Sequence, residues 1–558
     1  MTSKAPIGAI AGAVATLATL LAGCTSPQVA DAPIVKPSFS EAAYRAHVER
    51  LASDEFEGRA PGTPGEQKTL AYLEQEYRDV GLEPVSGDSF LQPVPLVEIA
   101  TRPDDTMVVQ GREGSLTLAY AEDVVYWTKR PVPESRVTDA ELVFAGYGIV
   151  APEYGWNDYA GVDMRGKIAV VLVNDPGFAT QDPELFTGNA MTYYGRWTYK
   201  FEEAVRQGAA GLLVVHETKP AAYPWEVVRN GAARPQFDLL VENYESERLA
   251  IEGWLTHEAA ERMLAMAGES YAALKQAALD PQSFKARPLG LKASVGVRNL
   301  VRRGTSYNVV GVLPGRERSD EYLLYTAHWD HLGKILSVTG GDTDTIFNGA
   351  SDNATGIAGL LELARVFAAT QPRPERSVMF VAFTAEENGL LGSQHFAENP
   401  PVPVANMVGG INMDNLYVIG KTSDLTVIGY DASELDEYLR RAAAQQDRVL
   451  VPEPTPENGF YYRSDHFNLA KHGVPMLYTK AGVDSPSEGP GYGRIWLEDY
   501  IANRYHKPSD EYDPSWDVSG ILQDLEVYYE VGLTLANSDA WPNWRKGSEF
   551  RAIRDRSR

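Results

Sequence analysis

The chain has 558 residues, more than one hydrophobic core usually serves, so two or three domains are expected. Its composition, 44% hydrophobic and 23% charged without a long low-complexity tract, argues against a disordered chain. A formal net charge of -25 argues against nucleic acid as a partner, because gripping phosphates needs a basic face.

The first segment reads as a leader. Lys4 supplies a short positive region, residues 7–21 are apolar or small, and Leu21-Ala22-Gly23-Cys24 follows. An apolar run this short, ending in small residues, is a secretory signal rather than a spanning helix. The ending resembles the bacterial lipobox, in which the cysteine is lipidated and becomes the mature N-terminus. Cys24 is the only cysteine, which excludes a disulfide within the chain. The expectation is therefore a signal peptide over 1–24, a flexible Pro/Ala/Ser tether over 25–38, and a lipoprotein of the bacterial cell envelope. Its periplasmic or outer-membrane face would carry the protein, held by lipid on Cys24. No later stretch is apolar and long enough to cross a bilayer.

Helical periodicity begins near residue 39. Turn residues Ser53-Asp54-Glu55-Phe56-Glu57-Gly58-Arg59-Ala60-Pro61-Gly62 interrupt it, and a second helix follows with Leu70, Leu73, Tyr77 and Val80 on one stripe, closed by Gly81. From 132 to 292 the texture changes to short β-like runs, at 141–145, 167–173 and 211–215, separated by Gly and Pro clusters. This predicts an inserted β-rich domain interrupting a larger one whose N-terminal part is 39–131. From 293 to 540 the texture is α/β. Apolar runs at 322–327, 378–384 and 407–411 read as strands buried on both faces, with helical patterns between them. The fold class expected is α/β, a mixed, mainly parallel sheet with helices on both faces, plus the insertion. A basic tail over 541–558 closes the chain.

Sheets of this kind hold their chemistry just beyond the carboxyl ends of strands. Five clusters lie there: Ala327-His328-Trp329-Asp330-His331, Ser351-Asp352-Asn353 before a helix, Ala385-Glu386-Glu387-Asn388, Met413-Asp414-Asn415, and Tyr505-His506-Lys507 near the C-terminal side. Two His, two Asp and two Glu are more donors than one tetrahedral zinc needs. They suit two cations sharing a carboxylate, with one carboxylate left over as a base. Two divalent ions bring about +4, three ligating carboxylates about -3 and a hydroxide about -1, which is near neutrality for a buried site. Neighbours Glu386 and Glu387 point to opposite sides of an extended chain, so one ligates while the other faces the water. Asp330 shares a face with His328 and is positioned to fix the ring of that histidine.

On these residues the sequence resembles the two-zinc family of bacterial leucyl aminopeptidases and glutamate carboxypeptidases. The likeness covers Asp54 and Gly58-Arg59 and the stretch from 307 to about 535. Within the insertion, Gly146-Tyr147-Gly148, Asp158-Tyr159 and Gly166-Lys167-Ile168 resemble a protease-associated domain. The resemblance implies one zinc on His328, Asp352 and Asp414, and a second on Asp352, Glu387 and His506, with Asp352 bridging. It implies Glu386 as general base and Asp330 as the residue behind the histidine ligand. It further implies a metal-dependent exopeptidase, an aminopeptidase acting on peptides with a free N-terminus.

Other readings stay open on the sequence. A carboxypeptidase or dipeptidase on the same metals would need a cationic clamp, for which Arg463 is the nearby candidate. A one-zinc cyclase and a non-catalytic envelope binding protein are further alternatives. Tyr461 or Tyr462 is a candidate to steady an oxyanion, without a choice between them. His331, His395, His466 and His472 read as structural or surface residues, and the aromatic stretch 193–201 as either core or substrate lid.

Overall fold

The structure, a computed structural model, describes residues 34–85, 87–112, 114–334 and 344–558. The expected leader, Cys24 and most of the tether lie outside the described residues. Among the described residues no helix is long and apolar enough to cross a membrane.

Ser40 starts helix α1 (Glu41–Leu51), its hydroxyl accepting from the Ala43 N–H at 3.2 Å. Helix α2 (Pro64–Val80) opens on proline, whose missing N–H costs nothing in a first turn, and stops at Gly81. Both bury one stripe, Tyr44, Val48 and Leu51 on α1 and Leu70, Leu73 and Tyr77 on α2, in one shared core.

Strand β1 (Leu91–Pro103) leads into the second module. There β2 (Glu134–Phe144), β3 (Ile168–Leu172), helix α3 (Trp197–Arg206), β4 (Gly211–Val215) and β5 (Ile251–Leu255) follow, and β2 through β5 pair in that order, all parallel. The long strand β6 (Arg287–Leu313) returns, antiparallel to β2 and then to β1 over thirteen paired positions from Val297 to Val309. Strands Thr106–Gly111 and Val124–Trp127 pair with β6 and β5, and Met107, Val109 and Val124 sit in the inserted module's core. That module therefore reaches back to about Thr106, ahead of the boundary expected at 132. Its central strands alternate with helices, so it is an α/β layer as well as a β-rich one.

The larger module is built on β7 (Arg318–His328), helix α4 (Thr355–Ala369), β8 (Arg376–Phe383), β9 (Met407–Asn412), β10 (Met476–Ala481), and helices α5 (Tyr492–Asn503) and α6 (Ser519–Ala536). The sheet runs β6, β8, β7, β9, β10; the three inner pairings are parallel and the β6 edge is antiparallel. Tyr325 and Phe380 face the core with α4 and α6, while Leu324, Met379 and Val381 face another core with Phe396. Burial on both faces is why these strands are apolar at every position rather than at alternate ones. Each such side chain contributes about 1.5–3 kcal/mol.

The modules are locked together. Tyr193 packs on Phe467 with ring centroids 4.7 Å apart, and Lys471 Nζ donates to Glu202 at 2.9 Å. The aromatic stretch 193–201 is thus seam and core. The 541–558 segment, expected as a basic tail, packs against the fold. Its helix α7 (Arg551–Ser557) buries Arg554, whose guanidinium donates to the carbonyls of Met407 and Val408 at the start of β9 at 2.9 and 3.0 Å.

Candidate active site

Three parallel strands deliver the chemistry at one end. His328 is the last residue of β7, Glu386 and Glu387 follow β8, and Asp414 follows β9. Asp352 lies in the turn before α4, and His506 three residues beyond α5. These segments, far apart along the chain, converge. His328 Nε2 lies 3.3 Å from Asp352 Oδ1 and 3.6 Å from Asp414 Oδ1. His506 Nε2 lies 3.3 Å from Asp352 Oδ2 and 3.0 Å from Glu387 Oε2. Asp352 therefore presents one oxygen to each imidazole, as a shared ligand must.

Glu386 and Glu387 separate as neighbours in extended chain do. Glu386 groups with His328 and Asp414 and lines the open cavity, whereas Glu387 groups with Asp352 on the other side. Asp330 holds both: its carboxylate accepts from the Glu386 N–H at 3.0 Å and the Glu387 N–H at 3.4 Å. The His328 ring is met by the Asp330 carbonyl at 3.1 Å, with the carboxylate oxygen at 3.8 Å. Asp330 thus steadies the glutamates more directly than the imidazole.

His331, read from sequence as structural or surface, is buried, with Nδ1 2.6 Å from Glu387 Oε1. It also falls within 4.8 Å of the Asp352 and Glu387 oxygens, so it competes with His506 as the third donor of that group. His506 is the better fit because one nitrogen meets both carboxylates, while His331 braces Glu387 from behind.

The electrostatics ask for positive charge. Burial pushes Asp330 up to about 8 and Glu386 well above its usual range. Against the pull of burial, the surrounding carboxylates hold His328 well above an ordinary imidazole and His506 up to about 10. His328 Nε2 and His331 Nε2 are buried without a hydrogen-bond partner. Buried carboxylates with unpartnered imidazole nitrogens, in two groups of three donors, fit two divalent cations with nitrogen and oxygen preference.

The support is built from residues whose roles the sequence reading missed. Arg59 is fully buried and donates to the carbonyls of Leu51 at 2.7 Å, Asn348 at 2.6 Å, Trp329 at 2.9 Å and Gly349 at 3.0 Å. It ties α1 to the loops carrying His328 and Asp352. Gly349 has φ +55, and a Cβ there would sit 2.3 Å from the Asp352 carbonyl oxygen, so only glycine lets the chain fold this tightly. Asp510 accepts from the Ser351 and Asp352 N–H groups, each at 3.1 Å. Thr326 donates to Asn412 at 2.7 Å, Asn412 to Ser464 at 2.8 Å, and Ser464 to the Asp414 carboxylate, which orients that ligand. Ala385, Asn415 and His506 adopt left-handed backbone, a strain of about 1–3 kcal/mol each that clusters at the site.

The cluster forms one end of a cavity of about 340 Å³. Ile428, Val483, Leu497 and Ile501 make apolar walls, and Arg463, Lys480 and Arg494 bring positive charge. Tyr417, Tyr478, Tyr500 and Tyr505 line it; Tyr461 and Tyr462 do not. Tyr461 is buried, and the Tyr462 hydroxyl is 3.5 Å from Glu549, so neither candidate faces the cluster.

The chain is similar to known proteins over parts of its length. The sequence pattern of peptidase family M28 matches residues 308–529. A probable zinc metalloprotease of Pyrenophora teres f. teres (strain 0-1) is 39% identical over 106 residues, 19% of this chain and 22% of that protein. Aminopeptidase NAALADL1 of Mus musculus is 35% identical over 115 residues, 20% of this chain and 14% of that protein. The chain thus spans less than a quarter of the length of these curated relatives. Among solved structures, the aminopeptidase from Aneurinibacillus sp. strain AM-1 is 20% identical, with 89% of this chain and 94% of that one covered and a TM-score of 0.47.

Proposed function

We propose, on the match of residues 308–529 to peptidase family M28, that this protein is a two-zinc exopeptidase that removes residues from the free N-termini of peptides. The observation carrying the reading is Asp352, whose two oxygens meet His328 and His506 separately while Glu386 stands at the cavity wall. His328, Asp352 and Asp414 would hold one ion, and Asp352, Glu387 and His506 the other. When bound, the ions supply Lewis acidity that makes a water nucleophilic near neutral pH and polarises the scissile carbonyl.

Glu386 is the general base: its carboxylate takes the proton of the attacking water and returns it to the departing amine. Asp330 keeps Glu386 and Glu387 on their separate faces by accepting both backbone N–H groups. Ser464 and Lys480 fix Asp414, the first through its carboxylate and the second through its carbonyl. The lipobox-like Leu21-Ala22-Gly23-Cys24 supports lipid anchoring at the bacterial cell envelope, with peptides reaching the site from outside the membrane.

The deciding experiment is metal analysis together with a panel of free and N-blocked amino-acid amides. Two zinc ions per chain and cleavage of free substrates alone are expected. Equal cleavage of blocked substrates would refute the aminopeptidase assignment. A dipeptidase or carboxypeptidase reading draws on one specific observation, the presence of Arg463 on the cavity wall.

A further inference from the structure

We propose that the cavity beside the metal cluster reads a carboxylate on the substrate, through Arg463, Lys480 and Arg494. The inference rests on the peptidase reading and names the substrate class of that same site.

The chain carries 25 more acidic than basic side chains, and its arginines generally find partners; Arg316, for example, bridges Glu317 and Glu375. The cavity reverses that pattern. Among the described residues, none of its three cations has a carboxylate within 4 Å. The Arg463 Nη2 donates only to the Asn458 carbonyl at 2.8 Å, and its Nε is buried without a partner. Lys480 Nζ is fixed by the carbonyls of Asp414 and Asn415 and lies over the Tyr478 ring, 4.8 Å from its centroid. These neighbours orient the ammonium, which also feels the carboxylates of Asp414, Asp352 and Glu386 and so joins the cavity's positive charge to the cluster. Arg494 stands exposed in the first turn of α5, at the cavity mouth.

Behind Arg463 lies a second guanidinium, Arg196 of the inserted module, also with a buried, unpartnered Nε. Burial and the neighbouring Arg463 pull Arg196 down to about 10. Like charges gathered without an anion gain by taking one, and a guanidinium suits a carboxylate best. Apart from the cluster's own acids, the cavity holds one carboxyl, Glu453. Burial pushes it up to about 7, so at neutral pH it offsets the cations only in part. The apolar walls of Ile428, Leu497 and Ile501 suit an aliphatic stem leading to the charged end.

The carboxylate has two possible sources, the side chain of an acidic first residue or the C-terminus of a short peptide. Zinc-loaded protein is assayed with p-nitroanilides of Glu, Gln, Leu and Lys, and with Leu-Leu against its C-terminal amide. The inference expects at least about tenfold higher kcat/KM for Glu over Gln, or for Leu-Leu over the amide, the arm that responds naming the source. Either preference should weaken with added salt and fall below about threefold in Arg463→Gln and Arg494→Gln. If Arg463→Gln fails to fold, the exposed Arg494 position carries the test. Glu and Gln within twofold, together with Leu-Leu and its amide within twofold, would overturn the inference while leaving the peptidase reading intact. A preference for Lys would overturn it too, pointing to Glu453. If no free-amine substrate turns over, the peptidase reading fails instead. Calorimetric binding of glutarate against glutaramide, in wild type and Arg494→Gln, then decides the carboxylate question without turnover.

Discussion

Arg59→Met isolates how much of the metal site is held from a distance. The methionine keeps the stem but removes donors from four carbonyls, those of Leu51, Trp329, Asn348 and Gly349. Burial pulls the guanidinium down to about 10, so it is still charged at neutral pH. Each orphaned carbonyl costs roughly 1–3 kcal/mol, hence roughly 4–12 kcal/mol in all. Against that, a buried charge no longer has to be desolvated, which returns several kcal/mol. A net loss of about 3–5 kcal/mol follows, a large share of the ~5–15 kcal/mol typical of a folded domain. Because the freed loops carry His328 and Asp352, zinc affinity should also fall by roughly 10–100-fold. Urea unfolding followed by tryptophan fluorescence, with zinc and with chelator, reads the first effect, and competition with a metal indicator reads the second. Arg59→Lys should be intermediate, since an ammonium restores charge but not the fork. An unchanged urea midpoint and unchanged zinc affinity in Arg59→Met would refute the claim that Arg59 organises the site.

Glu386→Gln should retain two zinc ions and lose roughly two to four decades of turnover, checked by metal analysis and steady-state assay. Glu387→Ala removes a ligand, so bound zinc should drop toward one per chain in the same analysis. Gly58→Ala meets both φ +67 and a Cβ contact of 2.4 Å with the Gly333 carbonyl oxygen, and should lower stability by roughly 2–5 kcal/mol on thermal melting. Asp436 gives a pH test. Burial pushes its carboxyl up to about 6, against roughly 4 in the unfolded chain. Between those values the folded state holds a proton that the unfolded state has released, so this group's contribution falls as pH rises from about 4 to about 6. Asp436→Asn should therefore gain stability relative to wild type across that window and keep a constant difference above it, measured by urea unfolding at several pH values.

The sequence determined the local half of this protein. Unbroken apolar runs such as 322–327 and 378–384 marked buried parallel strands, because a strand covered on both faces has no polar side. The strand-end rule then pointed to His328, Glu386, Glu387 and Asp414, since chemistry placed beyond a parallel strand leaves titratable residues directly after an apolar run, while Asp352 was marked by the helix it precedes. What depends on residues meeting across hundreds of positions was left to the tertiary structure. Arg59 shows no sign in its own neighbourhood of the carbonyls it binds near 329 and 349. The choice between His331 and His506 turns on which nitrogen faces two carboxylates at once. The cationic cavity wall joins Arg463, Lys480 and Arg494 from three different elements, with Arg196 of the inserted module behind it. Periodicity reports which face of one element is buried; only packing decides what that face meets.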